Sequence, residues 1–401
     1  MRLALVLLFW LITCFAVFTL GTLRGTNTIA VKNAQWSLDD PTAQAWHRFT
    51  TSLEAAGESV AKFSQSNVER LSGYDYLTDL ASVSLEMKVG RGDPGNPTFT
   101  EWMQGHRKFL GDSPDARYQT AEISPEHHYV INGTARALDY FGVIVYQKNS
   151  ITGWNQIASN LSTPTLTLDE SGAFSILLSP QKPPGYSGNW LRLTETSHMV
   201  MTREYSLKPV APNPLSINVA ANHSRATSDA PAQQSTLAAR IDAASAFFNL
   251  TLKSSIALAE TMESVANTFE RPLSLSNDYV GIFYPTADND YFGGAFNLGI
   301  DDRLIIEGEA PNATYWSVAL QNVWMQSIPG AALNNRSIAT DDGKYRIVVS
   351  ARKPIDEPNW LGTQGYHRGL IAIRYQQAVD ATPPTVRLES SLQATEAASP
   401  H

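Results

Sequence analysis

Two stretches of this 401-residue chain decide how the rest is read: HYVINGTARALDYFGVIVYQ at residues 128–147 and RLIIEGEAPNATYWSVALQN at residues 303–322. They align without a gap, so that Gly133 falls on Gly308 and Tyr140 on Tyr315. Further along, ESGAFSILLS (170–179) falls on DDGKYRIVVS (341–350), and the triplet NWL recurs at 189–191 and 359–361. Arg203-Glu204-Tyr205 then answers Arg374-Tyr375 with a one-residue shift. Shared words in the same order point to duplication of one supersecondary unit. The flanking alternation of apolar and polar residues has the period of a strand with one buried face. Gly133/Gly308 and Gly172/Gly343 read as turn positions requiring positive φ.

Outward from these words, runs rich in Val, Ile, Tyr, Phe and Thr at 128–131, 140–147, 165–168, 173–179 and 198–205 are separated by turn residues and by no helix. That spacing predicts an antiparallel sandwich or jelly roll. Before the first unit, Ala45, Trp46, Phe49, Leu53, Ala56, Val60 and Phe63 recur at helical spacing, with Asp39 or Asp40 before Pro41 as the cap and Gly73 as the expected break. GRGDPGNP (90–97) stops the helix. Before the second unit, Leu237, Ile241, Ala244, Phe248, Leu252, Ile256, Ala259 and Val265 form another apolar stripe, ending near Pro272. The expected fold is mainly β with helical segments: tandem antiparallel β-sandwich or jelly-roll units, each preceded by helices, plus an N-terminal transmembrane or signal helix. The boundaries are 1–24 for the signal anchor or signal peptide, 37–97 helical, 98–207 first unit, 208–235 linker, 236–272 helical, 273–378 second unit and 379–401 polar tail.

Residues 3–20 (LALVLLFWLITCFAVFTL) carry no charge over 18 positions, about the shortest span of a bilayer core. An uncleaved anchor is expected, with the body outside the cytoplasm; a cleaved signal and a secreted or periplasmic body is the alternative. The single cysteine, Cys14, lies in this run, so the body has neither a disulfide framework nor a cysteine metal site. A net charge of -8 without a Lys/Arg run argues against nucleic acid as a partner. Six N-x-[ST] tripeptides, at Asn132, Asn160, Asn222, Asn249, Asn312 and Asn335, suit an exported chain in a glycosylating host, and chance accounts for them equally well.

Several words resemble a known family. GYDYLTDLASVSLE, GDSPDARY, the first NWL and TREY resemble the N-terminal part, and YWSVALQNVWMQS, NNRSIATDDGKYRIVVSARKP and PNWLGTQGYHRG the C-terminal part, of bacterial proteins termed domain of unknown function 1214, related to domain of unknown function 1254. The resemblance implies a helical N-terminal segment followed by jelly-roll-like β domains, and no established activity. It departs where the family's word runs close to NWLDTAGH: here Gly362 replaces the acidic residue, and Tyr366 stands at the histidine position with His367 next to it. Chemistry carried elsewhere by that Asp and His would then be absent from this chain.

Candidate sites follow from side-chain chemistry. In GDSPDARY (111–118), Asp112, Asp115 and Arg117 lie close together and could orient a polar ligand, with Asp112 and Asp115 as acid and base of a glycan hydrolase and His367 as a further catalytic candidate. An Asp-rich turn with an internal ion pair is the simpler reading. Arg117, Tyr118, Trp190, Arg203, Trp316, Trp360 and Arg374 are the candidate ligand-binding residues, since Trp faces beside Asn and Arg donors can floor a sugar site. A packing device needed once per repeat explains the paired NWL words more simply. Tyr315, Trp316, Trp324 and Tyr345 could line a pocket, although at strand spacing they read as core. No zinc spacing, P-loop or nucleophile elbow occurs, and neither a cofactor nor a metal is expected. The expected function is a membrane-tethered extracytoplasmic protein that binds a small or carbohydrate-like ligand; a hydrolase of polar substrates and an envelope scaffold are the alternatives. Oligomeric state is not encoded in any of these features.

Overall fold

A computed structural model describes residues 40–390 apart from 91, 104, 136–137, 151–152, 208–214, 221–235, 270–283, 285 and 380. The N-terminal run 3–20, and with it the expected membrane helix, lies outside the described residues. Among those described, no helix is long and apolar enough to cross a membrane.

Helix α1 (Pro41–Phe63) starts where the Asp40 carboxylate accepts the Thr42 amide at 2.8 Å, with Pro41 in the first turn. Helix α2 (Asn67–Leu85) begins at Ser66, whose hydroxyl accepts the Glu69 amide at 3.3 Å while the Glu69 carboxylate accepts the Gln65 amide at 2.8 Å, a reciprocal arrangement like a capping box. The break between the helices is therefore at 64–66 and not at Gly73. Gly73 stays helical because its bare face receives Trp324, whose ring carbon would stand 2.7 Å from an added Cβ. A π turn, Glu86–Gly90, closes this segment, and α3 (Leu237–Glu263) follows the first β unit. The three helices pack on Ile144, Tyr146, Met199 and Met201, the outer face of the first unit's larger sheet.

The first unit comprises β1 (Thr100–Met103), β2 (Ala116–Glu122), β3 (Tyr129–Thr134), β4 (Tyr140–Lys148), β5 (Asn155–Ser162), β6 (Ala173–Ser179), β7 (Asn189–Arg192), β8 (Ser197–Tyr205) and β9 (Ser216–Val219). The second comprises β10 (Asn289–Asn297), β11 (Arg303–Glu309), β12 (Tyr315–Gln321), β13 (Ser327–Asn334), β14 (Lys344–Ser350), β15 (Trp360–Gly362), β16 (Arg368–Gln376) and β17 (Thr385–Glu389). Sheet order β2-β8-β4-β5 in one recurs as β10-β16-β12-β13 in the other, and β7-β6-β3-β9 recurs as β15-β14-β11-β17. Duplication is thus a fact of topology. In each unit both sheets feed one core: Phe141, Val143 and Val145 meet Ile131, Ile176 and Leu178 in the first, and Trp316, Val318 and Leu320 meet Ile306, Ile347 and Val349 in the second.

The structure corrects several expectations. Each sandwich contains one parallel pair, β6 with β7 and β14 with β15, so neither is wholly antiparallel. Residues 165–168 form no strand, whereas the polar stretch Asn155–Ser162 does. Strands β9 and β17 lie in segments read as linker and polar tail; they pair with β3 and β11 through ladder hydrogen bonds, and Ile217 of β9 enters the first core while Val386 and Leu388 of β17 pack against the second. Gly172 and Gly343 do adopt positive φ, 83° and 72°. Gly133 and Gly308 instead lie inside strands, opposite Phe174 and Tyr345, whose rings cross them: an added Cβ would stand 2.7 Å from Phe174 and 2.8 Å from the Tyr345 hydroxyl. Finally, Arg203 and Arg374 occupy the same register without a shift, each opposite a tyrosine of the neighbouring strand, Tyr118 and Tyr291.

One buried ion pair joins the helices to the second sandwich. Arg368, at the start of β16, meets both Glu69 carboxylate oxygens at 3.1 and 3.0 Å, the Phe63 carbonyl at 2.8 Å and the Glu263 carboxylate, with Arg368 and Glu69 only 3% and 1% exposed. Removing one partner leaves the other charge buried and unpaired. Arg368→Ala is expected to lower stability by roughly 3–5 kcal/mol, measured by urea unfolding.

Candidate functional site

The side chains of the GDSPDARY loop reach across to the second unit rather than to each other. Asp112 is buried, and its carboxylate accepts the Ser327 amide at 2.8 Å and the Ser327 hydroxyl at 2.6 Å. Burial pushes its carboxyl up, opposed by the bonds from Ser327 and by the charges of Lys108 and Arg374. Asp115 accepts the Tyr315 hydroxyl at 3.0 Å and the Asn334 amide at 2.8 Å. Each carboxylate is thus committed to its own partners, so the pair does not converge as an acid and base. His367 stands just before β16 with its ring 3.4 Å from the Leu298 carbonyl, whereas Tyr315 pairs with Gln376 at the other end of that strand, roughly 30 Å of extended chain away. The three catalytic candidates therefore do not meet.

Arg117 lies on the other face of β2 from Tyr118. It pairs with Glu101 at 2.5 Å and stands 3.7 Å from Glu204. Glu204 is buried, one of its oxygens lacks a hydrogen-bond partner, and burial pushes its carboxyl up to about 7, the Arg117 charge opposing and Glu101 adding to the shift.

The two NWL words are the same packing device built twice. The Asn189 side chain bonds the amide and carbonyl of Thr167, both at 2.8 Å, and the Ser175 carbonyl at 3.2 Å. The Asn359 side chain bonds the amide and carbonyl of Ala339, both at 2.7 Å, and the Arg346 carbonyl at 2.9 Å. Trp190 and Trp360 donate to the hydroxyls of Ser179 and Ser350 on the neighbouring parallel strand. Neither tryptophan joins the arginines. Trp316 is core, 5.0 Å from the ring of Tyr345 and 6.1 Å from that of Tyr375. Trp324 stacks on Tyr76 and donates to the Glu69 carbonyl. At Gly362 an acidic side chain would run into the Trp360 ring, which stands 2.7 Å from an added Cβ.

Three of the nominated residues do come together: Tyr118, Arg203 and Arg374. They lie where the outer faces of the two larger sheets meet, in company that residue spacing did not reveal. Tyr205 packs against Tyr140 and Tyr315, the two repeat-equivalent tyrosines, at 5.7 and 4.7 Å. Arg203 bonds the Tyr146 hydroxyl at 3.1 Å and the Tyr284 carbonyl at 2.7 Å. Arg374 bonds the carbonyls of Gly111 and Asp112. Strand alternation turns Tyr291, Ser317 and Gln376 toward the same junction. The signal that would have exposed it is the register itself: Tyr118, Arg203 and Gly142 form one row, and Tyr291, Arg374 and Ser317 the corresponding row. Polar atoms here lack hydrogen-bond partners among the described residues: one terminal nitrogen each of Arg203 and Arg374 and the Gln376 side-chain carbonyl, while the hydroxyls of Tyr205 and Ser317 neighbour those of Tyr118 and Tyr315. Burial raises the hydroxyls of Tyr118, Tyr146 and Tyr205, Tyr146 to about 12, so all three are neutral donors near pH 7. Among the described residues no cluster of three or more His, Cys, Asp or Glu side chains is placed to hold a metal.

Two predictions follow from these environments. Asn359→Ala and Asn189→Ala each remove a buried side chain that bonds three backbone groups and should lower stability by about 1–3 kcal/mol in chemical unfolding. Glu204 holds its proton in the folded chain up to about pH 7 and releases it near the ordinary 4.5 when unfolded. Its contribution is therefore fully present below pH 4.5 and lost as pH rises to 7, by an amount on the order of 3 kcal/mol. Glu204→Gln should melt with the wild type at pH 4 and above it at pH 8; equal melting temperatures at both pH values would contradict this.

A solved structure of an uncharacterised protein from Burkholderia cenocepacia is similar over 88% of this chain and 98% of its own, at 25% identity and a TM-score of 0.76. A protein from Vibrio parahaemolyticus is 13% identical over 79% of this chain and 98% of its own, with a TM-score of 0.46. No curated protein matches this sequence. A family model described as "Protein of unknown function (DUF1214)" matches residues 115–209 and again residues 281–377, one match on each sandwich. With the two matches lying on the two copies of one topology, the chain belongs to the DUF1214 family.

Proposed function

We propose that this chain is a binding protein that holds a small polar ligand at the junction of its two sandwiches, with the N-terminal apolar run tethering the body to a membrane on its extracytoplasmic side. The tether rests on the 18 uncharged residues at 3–20. The observation that carries the binding reading is the set of buried polar atoms of Arg203, Arg374 and Gln376 that lack a partner among the described residues along the facing rows. Packing two duplicated sandwiches requires only an apolar seam, such as the cores that fill each sandwich. Burying unsatisfied donors instead costs several kcal/mol, a burden that a ligand supplying acceptors removes. Tyrosine rings beside the arginines give the ligand flat apolar faces and oriented hydroxyls, which suits an aromatic or sugar-like body. Hydrolysis gains no support, because Asp112 and Asp115 are committed elsewhere.

The reading is tested by ligand-observed NMR on the full chain, with a library of sugars, organic acids and amino acids, comparing the wild type with Ser317→Phe, which fills the junction. Binders that lose their signal in the variant are expected. A library without binders, or binders indifferent to Ser317→Phe, would leave the scaffold reading in its place.

A further inference from the structure

We infer that the ligand of this junction carries an oxyanion, a carboxylate or phosphate group, held between Arg203 and Arg374. The inference rests on the preceding reading of the junction and specifies its chemistry.

Both arginines are almost wholly buried, 5% and 4% exposed, and neither forms an ion pair among the described residues. The contrast lies on a single strand. Arg368 at the start of β16 is equally buried and is matched by two carboxylates, Glu69 and Glu263. Arg374, six residues later on the same face, bonds only carbonyls and leaves a terminal nitrogen unpartnered. Arg203 repeats the pattern in the first unit, with a hydroxyl and a carbonyl on one nitrogen and nothing on the other. A guanidinium cannot shed its proton near neutral pH, so both positive charges persist inside the fold.

Among the described residues, the carboxylates of Asp112, Asp115 and Asp288 near the junction are occupied. Asp115 accepts from Tyr315 and Asn334, and Asp288 from the Tyr140 hydroxyl at 2.7 Å. Asp112 acts on Arg374 only at a distance, since its oxygens face Ser327. Tyr118, Tyr205 and Tyr291 lie near enough to feel both guanidinium charges, which places the two arginines around one region. Tyr291 is half-buried, so that edge meets solvent. A neutral sugar would satisfy some donors and leave both charges uncompensated. An oxyanion satisfies donors and charge together, through charge-assisted bonds roughly twice as strong as neutral ones. Two arginines related by the duplication, each opposite its own tyrosine, can then grip the group from two sides.

The test uses full-length protein and matched probes: benzoate against benzamide, glucuronate against glucose, and glucose 6-phosphate against glucose, with affinities from titration calorimetry. At least one anion is expected to bind about tenfold or more tighter than its neutral counterpart, the carboxylate and phosphate arms separating the two sources of the group. Arg203→Gln and Arg374→Gln should each erase that preference. If either variant fails to fold, the matched-probe comparison on the wild type still decides. Neutral partners binding within about twofold of the anions, or a folded Arg→Gln variant retaining the preference, would overturn the inference. Library molecules that bind in a Ser317→Phe-sensitive manner while every anionic probe fails would overturn it too and leave the binding reading intact; no binding of any kind removes both.

Discussion

The fold turns on a guanidinium group withdrawn from water. Arg368 brings the end of α1, the start of α2, the end of α3 and the first residue of β16 to one point through Glu69, Glu263 and the Phe63 carbonyl. Such a cluster adds little net stability over an apolar replacement, but it penalises every arrangement that leaves one member unpaired. Trp324 reinforces the point by donating to the Glu69 carbonyl while its ring fills the space left by Gly73. Helices that precede the first sandwich in sequence are thereby pinned to the second. The two halves become one body, and the outer faces of their larger sheets are brought together.

Duplication then explains which features repeat and which do not. Devices that hold a sandwich together are kept in both copies: the asparagine that bonds three backbone groups, the tryptophan on the serine of the parallel strand, and the glycine under an aromatic ring. Positions at the junction have diverged. Gly142 answers Ser317 and Tyr205 answers Gln376; on the sheet faces turned away from the junction, Glu204 answers Tyr375. Packing constrains each sandwich from within, whereas the junction is met by different neighbours in each copy and is free to acquire chemistry.

That divergence has electrostatic consequences. Burial pushes the Glu204 carboxyl up, an effect that Arg117, closer to Glu101, only partly opposes, and Tyr375 in the equivalent place bonds Tyr345 in the second core. Arg203 and Arg374 are kept in both copies, yet unlike Arg368 neither has an ion-pair partner among the described residues. A buried charge kept twice without such a partner is costly to stability, and the proposed function rests on that cost.

The repeat, the mainly β character, the helical segments and the family were legible in the residues, because strand alternation, helical spacing and shared words are local patterns. The register of Tyr118 with Arg203 and of Tyr291 with Arg374 was not, because pairing partners lie far apart in sequence. Strands as short as Ser216–Val219 and Thr385–Glu389 carry too few alternating residues to stand out from a linker or a tail, although Ile217, Val386 and Leu388 pack on the two cores once the ladders form. By itself, then, the sequence determined that one β unit was built twice and supplied the tyrosines and arginines. Only the tertiary structure decided that Asp112, Asp115, Trp190 and Trp360 each bond neighbours of their own while Arg203 and Arg374 lie at one junction, since whether a charge is paired depends on neighbours that folding alone assembles.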